Sequence, residues 1–391
     1  MAGPVSGGAG GDAPVLHLTG PVRVDADDVR GQAWVHGGSV TFERPDLPAG
    51  TDVVTVDGWV LPGLVDAHCH IGLDAHGAVD RETTERQALT DRDAGTLLAR
   101  DAGSPADTRW LDDRPDLPRV VRAGRHVARP RRYIRNYAAE VEPDALVAEV
   151  RHQARRGDGW VKLVGDWIDR DLGDLAPLWP ADVVAAAIDA AHTEGARVTA
   201  HCFSEDALPD LLAAGIDGIE HGTGFGPATV AAAADQRVAV VPTLVNIATF
   251  PQLAARGEDK FPRWAAHMRA LHARRLQNVR DLHEAGVPLF VGTDAGGSLP
   301  HGLVAQEVAE LVGAGLPPLV AVGAGSWAAR RWLGRDGLAE GASADLVVHD
   351  ADPVTEPGVL AHPRAVVLRG RLVRGGGAEP PDPRGPAVVA H

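Results

Sequence analysis

The chain has 391 residues, 45% of them hydrophobic and 23% charged, the proportions of a soluble globular protein long enough to bury a substantial core. Its 53 acidic against 38 basic residues give a net charge of −15, which argues against nucleic acid as a partner, because phosphate binding wants a basic face. The two cysteines, Cys69 and Cys202, exclude a disulfide framework, and the Gly- and Ala-rich start lacks a basic n-region and an apolar h-region, so a cytoplasmic location without membrane contact is expected. Residues 1–14 read as a disordered tail. Short β-like pieces follow at 15–18, 22–24, 33–36, 39–42 and 53–56, punctuated by Gly, Asp and Pro. Similar pieces return at 346–349, 365–368 and 371–373, after a helical stretch that ends near Gly337. The two ends are expected to pair into a small discontinuous β-sandwich domain, 15–60 with 338–375, around a central domain of 61–337. Residues 376–391, rich in Gly and Pro, read as a second disordered tail.

Between the ends, strand candidates near 62–67, 95–101, 118–124, 159–164, 196–201, 216–220, 238–243 and 287–292 alternate with Ala- and Leu-rich helical segments, among them 182–194, 205–214, 227–235, 261–285 and 303–312. Eight strands alternating with helices fit an α/β fold, a closed (β/α)8 barrel. The first strand runs into His68-Cys69-His70, and period-two alternation points both imidazoles to one face and Cys69 to the other. Two successive inward histidines are costly to bury unless something ligates them, so the pair reads either as a metal grip or as a hydrogen-bonded pair at a strand end. Lys162, His201, His221 and Asp294 each come last or nearly last on a later strand, where barrel enzymes keep their active sites. Histidines on the helices, His192, His267, His272 and His283, read as solvated or partly buried helix residues.

The motifs Leu61-Pro62-Gly63-Leu64-Val65-Asp66-Ala67-His68-Cys69-His70, Arg100-Asp101-Ala102-Gly103, Ile219-Glu220-His221-Gly222-Thr223, Gly292-Thr293-Asp294-Ala295-Gly296 and Ala342-Ser343-Ala344-Asp345-Leu346-Val347-Val348 together resemble the amidohydrolase superfamily. The branch resembled includes imidazolonepropionases and metal-dependent Xaa-Pro or Xaa-Arg dipeptidases. By that resemblance His68 and His70 match the first-strand metal ligands, His201 and His221 those of the fifth and sixth strands, and Asp294 the eighth-strand aspartate. Lys162 matches the fourth-strand lysine that binuclear members carbamylate, whereas imidazolonepropionases lack it and use one metal. A lysine facing divalent cations in a narrow barrel should lose its proton and become a nucleophilic amine, which favours the carbamate independently. A rim pair with Asp166 or Schiff-base chemistry are the other readings of Lys162.

The resemblance implies a hydrolase that cleaves an amide C–N bond of a small molecule by attack of a metal-bound hydroxide. The centre is expected to be binuclear, with His68, His70 and Asp294 on one divalent ion, His201 and His221 on the other, and the Lys162 carbamate bridging them; zinc leads, with iron, manganese or cobalt as alternatives. Asp294 is the catalytic residue, passing the water's proton to the leaving nitrogen. A mononuclear hydrolase or deaminase with unmodified Lys162, or a non-catalytic binding protein, are the other readings. Asp101 reads as a support behind the ligands or a turn residue. Arg132 and Tyr133 are candidate substrate contacts, Arg132 for a carboxylate, unless the basic loop 128–137 simply pairs with the acidic loop 166–174. His301 is a third candidate substrate contact or a helix-start residue, and Trp167 and Trp179 either line an apolar leaving-group pocket or pack. Cyclic amides, N-acyl amino acids and dipeptides all remain open as substrates, and a homo-oligomer would suit the family.

Overall fold

The structure, a computed structural model, describes residues 14–375, so the expected tails, Pro14 apart, lie outside the described residues. The strand Val15–Arg23 pairs antiparallel with Val29–His36 and parallel with Val53–Asp57, and its end touches Trp59–Pro62. Trp59–Pro62 in turn pairs antiparallel with Leu346–His349, with Leu61 opposite Val347. Ala365–Leu368 and Arg371–Arg374 extend the same mixed sheet of eight strands, so the two chain ends do share one sheet. The reason lies in alternation: Leu16, Leu18, Val60, Val348 and Val367 all bury on one small apolar cluster, which needs both ends of the chain to close.

The central strands are parallel. Leu64–Cys69, Thr96–Asp101 and Arg119–Arg122 form one run, and Val127–Ala128, Trp160–Val164, Arg197–Cys202, Gly218–His221 and Ala239–Val241 form another. The third expected strand, 118–124, forms as Arg119–Arg122, and Gly124, at φ 72°, lies in the break before Val127–Ala128 opens the second run. The eighth, expected at 287–292, makes only isolated bridges, Leu289 with Val240 and Ala295 with Cys69. It still donates from Phe290 N to Val240 O and accepts from Ala67 N at Val291 O, which ties the end of the second run to the start of the first. A side chain at Gly292 would sit 2.7 Å from both Cβ and N of His68, so glycine is what lets this segment approach the first strand.

Helices Ala181–Thr193, Pro227–Gln236, Pro262–Glu284 and Val304–Gly313 lie within a residue of their expected spans, while the 205–214 segment begins its helix only at Leu208. Pro262–Glu284 buries Ala265, Met268, Leu271, Val279 and Leu282, a stripe at helical spacing. The strands' outward residues Val161, Leu163, Ala200, Cys202 and Ile219 share one apolar core with Val184, Ile188 and Leu211 of the helices. Alternation then leaves Lys162, His201 and Glu220 on the opposite, inner side. Among the described residues no helix is long and apolar enough to cross a membrane.

Candidate active site

The polar ends of the strands converge. Asp294 Oδ1 lies 3.1 Å from His68 Nε2 and 3.0 Å from His70 Nε2, and the two histidine nitrogens are 3.3 Å apart. His68, His221 and Asp294 each turn a ligand atom to within 4.8 Å of the others, a set able to hold a metal ion. The His201 ring lies 4.7 Å from that of His221, and its Nε2 is buried without a hydrogen-bond partner. An imidazole nitrogen orphaned in this way costs about 1–3 kcal/mol, which a ligand would relieve. Burial holds the imidazoles of His201 and His221 in the neutral form, that of His201 well below its ordinary value and that of His221 down to about 3, although Asp294 opposes both. Neutral nitrogens with free lone pairs are what a divalent cation requires, so the donor set fits a metal.

Glu220 and His221 are consecutive, and consecutive strand residues point to opposite faces. Yet Glu220 Oε2 accepts from His68 Nδ1 at 2.6 Å, and the His221 ring also lies 5.1 Å from that of His68. A left-handed φ of 68° at His221 turns its side chain inward as well. Asp294 has the same backbone feature at φ 58°. Two more of these histidines are fixed from behind: His70 Nδ1 on Gly103 O at 2.7 Å and His221 Nδ1 on Thr243 Oγ1 at 2.7 Å. Asp101 accepts from Gly103 N at 2.9 Å, so it is at once the turn residue and a support for His70.

Lys162 is 1% exposed. Burial pushes its amine down to about 8, even with Glu220 and Asp294 near enough to favour the charge. The rim pair with Asp166 is not made: Asp166 accepts instead from Phe203 N at 3.0 Å and from Ser204 N at 2.5 Å. Both cysteines are free and buried on the outer side, as alternation requires.

Besides Glu220, four residues at the site were not anticipated. His126 is fully buried with both ring nitrogens unpartnered, 4.9 Å from the His70 ring and 5.3 Å from that of Tyr133. Asn246 Nδ2 donates to Asp294 Oδ2 at 2.7 Å. Thr243, which meets His221, and Glu307, which accepts from Leu244 N and Val245 N at 2.7 and 2.8 Å, hold the segment that carries Asn246. The one available signal was position, since His126 and Asn246 follow the third and seventh strands within a few residues.

Of the candidate substrate contacts, Tyr133 reaches the site, its ring 5.6 Å from that of His201. Arg132 does not: its Nη1 donates to Asp169 Oδ2 at 2.8 Å, the pairing of basic and acidic loops that was the alternative. His301 is turned to Asp91, Nδ1 to Oδ2 2.8 Å, which places it behind helix Arg81–Asp93. Trp167 stands 5.4 Å from His201, whereas Trp179 packs in the core with its Nε1 on Val164 O. A separate cavity of about 480 Å³, lined by Arg119, Arg122, Arg330, Asp345 and Arg369, shares no residue with the histidine cluster. Arg119 and Arg122 are paired with Asp345 and Asp112, which makes it a charged seam between the central strands and the terminal sheet.

This chain is 56% identical over 357 residues to the uncharacterized protein Rv2915c of Mycobacterium tuberculosis and equally to Mb2939c of Mycobacterium bovis, covering 91% of this chain and 95% of each relative. Among solved structures, a Xaa-Pro dipeptidase with bound methionine superposes with a TM-score of 0.77 at 21% identity, covering 93% of this chain and 100% of that one. The ochratoxinase of A. niger superposes with a TM-score of 0.75 at 20% identity, covering 95% and 98%. These two show a shared fold. Residues 59–373 match the model of the amidohydrolase family, and the chain therefore belongs to that family, hydrolases of carbon–nitrogen bonds.

Proposed function

We propose that the chain is a metal-dependent amide hydrolase, its active site at the carboxyl ends of a (β/α)8 barrel flanked by a β-sandwich domain of 15–60 and 338–375. His68, His70, His201, His221 and Asp294 would hold the metal, zinc first, with two ions bridged by Lys162 once its amine has added to carbon dioxide and lost a proton. The observation that carries this reading is the convergence of His68, His70 and His221 on the Asp294 carboxylate, beside a buried His201 nitrogen that makes no hydrogen bond. Bound divalent ions supply Lewis acidity and make an attacking water acidic enough to ionise near neutral pH.

The chain's own residues do the rest. Burial would push the Asp294 carboxyl up, but His68, His70 and His221 outweigh it and hold it well below the usual range, so it stays an anion able to take the attacking water's proton. Asn246 fixes its second oxygen, which orients the first toward the histidines, and the proton then passes to the leaving nitrogen. Burial keeps the Tyr133 phenol protonated and so a donor toward bound substrate, and Arg132 and His301 act by holding loops. The dipeptidase and ochratoxinase likenesses support amides among the possible substrates. A one-metal enzyme with unmodified Lys162 is the second reading, favoured by the tight set His68, His221 and Asp294.

The test is elemental analysis of the purified protein with intact and peptide mass of Lys162, alongside a hydrolysis panel of dipeptides, N-acyl amino acids and cyclic amides. Two metals per chain with one carbon dioxide on Lys162 support the main reading, and one metal with a bare lysine supports the second. Absence of hydrolysis by metal-replete protein across the panel refutes both.

A further inference from the structure

Resting on the reading of an amide hydrolase, we infer that the substrate is a neutral amide bearing an aryl or branched alkyl group beside the scissile bond and no free carboxylate. Three aromatic side chains from three segments close around His201 and His221. Phe203, just past the strand Arg197–Cys202, lies 4.2 Å from the His201 ring and 4.9 Å from that of His221. Trp167, on the hairpin strand Asp166–Asp169, lies 5.4 Å from His201, and Tyr133 stands edge-on to Trp167 at 4.8 Å. A flat or branched apolar group next to the reacting carbon would meet these rings on three sides.

Four basic side chains on or near these loops are already engaged. Arg132 is bridged to Asp169 and to Trp167 O, Arg129 to Glu142, and Arg125 to Tyr137 O. His301 belongs to Asp91. A carboxylate brought beside Tyr133 would be stripped of water with none of these groups to receive it. The exposed large hydrophobic residues among those described are Val29, Ile134, Leu172 and Val320, and two of them, Ile134 and Leu172, lie on the two loops that the Arg132–Asp169 bridge joins. Each loop thus places one exposed apolar side chain near the bridge that lies beside the aromatic rings.

A matched ligand pair isolates the carboxylate. N-benzoylglycinamide and N-benzoylglycine share the aryl amide and differ only in that charge. Binding is measured by titration calorimetry on zinc-loaded protein, with Asp294→Asn as a background that does not turn the ligands over. The neutral ligand is expected to bind at least about 10-fold more tightly, and Trp167→Ala is expected to weaken it by roughly 10- to 100-fold, the worth of one buried apolar side chain. Trp167→Phe, which keeps an aromatic ring on the hairpin, should retain most of the affinity. Equal or tighter binding of N-benzoylglycine, or unchanged affinity in Trp167→Ala, overturns the inference. Hydrolysis by wild type is read separately: the binding preference without turnover refutes the hydrolase reading, while turnover with a preference for N-benzoylglycine refutes the neutral substrate alone.

Discussion

Glu220→Gln is the substitution in which the fold and the site are tested together. The carboxylate and the Arg100 guanidinium are both 0% exposed and meet at 2.5 Å, and the same carboxylate accepts from His68 Nδ1 and Thr199 Oγ1. Burial alone would push the Glu220 carboxyl up, but Arg100, His68 and Lys162 hold it well below the usual range. Glutamine keeps the shape and loses the charge, so the guanidinium is left uncompensated while fully buried. Removing one partner of a buried ion pair costs about 3–5 kcal/mol. The amide also has a wrong end. If its NH2 group faces His68, the proton must leave Nδ1 for Nε2, the nitrogen turned toward Asp294; if it faces Arg100, donors oppose donors.

The expected result is a stability loss of about 3–5 kcal/mol in urea titration of metal-free protein, together with metal affinity weakened roughly 10- to 100-fold, the usual effect of losing a partner behind a ligating histidine. Adding Arg100→Met should recover part of the stability, because the unpaired charge is gone, yet leave metal affinity low. A loss below about 1 kcal/mol with unchanged affinity would refute both the pairing and the orienting role.

Asp294→Asn should keep the fold, since asparagine tolerates the left-handed φ of 58°, while kcat falls by roughly 10²- to 10⁴-fold; thermal melts and kinetics check this, and near-normal turnover rejects the proton-transfer role. Gly292→Ala should cost about 1–3 kcal/mol by forcing the eighth segment away from His68, visible as a lowered urea midpoint and weaker metal retention; an unchanged midpoint would mean the contact is slack. His267 bridges Asp174 at 2.8 Å and Glu205 at 3.0 Å, and these bonds, Glu205 first, raise its imidazole from 6.5 to about 9. A raised value means that the clasp stabilises fully below pH 6.5 and is lost as pH climbs through 9. The melting temperature of wild type relative to His267→Gln should therefore shrink over that window, and a pH-independent difference would rule the clasp out.

Much of the site was legible because regular strands translate position into direction. Alternation in the first strand placed His68 and His70 together and Cys69 outside, and the same rule put Lys162 and His201 inside. The terminal sheet was legible for a similar reason, as short alternating pieces at both ends had to bury their apolar faces on each other. The loops were less so. Nothing in the order of residues says whether Arg132 reaches a ligand or Asp169, because the two loops meet only once the strands between them are assembled.

What escaped the sequence lies where the backbone leaves regular geometry. His126 sits in the break after the third strand, and Asn246 follows Thr243, whose φ is 48°. Glu220, which strand alternation turns inward, shares the inner side with its neighbour His221 because His221 is left-handed. Of the seven non-glycine residues with positive φ among those described, three, His221, Thr243 and Asp294, lie at the site, and Arg131 and Asn136 lie on the loop above it. Each such residue costs about 1–3 kcal/mol and persists only where its surroundings over-determine it. Here the surroundings are visible: Thr243 is bonded to His221, Asn246 to Asp294, and Glu307 pins the backbone between them. Strain at the strand ends is thus tied to the same side chains that are proposed to meet the metal, so site geometry and local stability should change together when any one of these supports is removed.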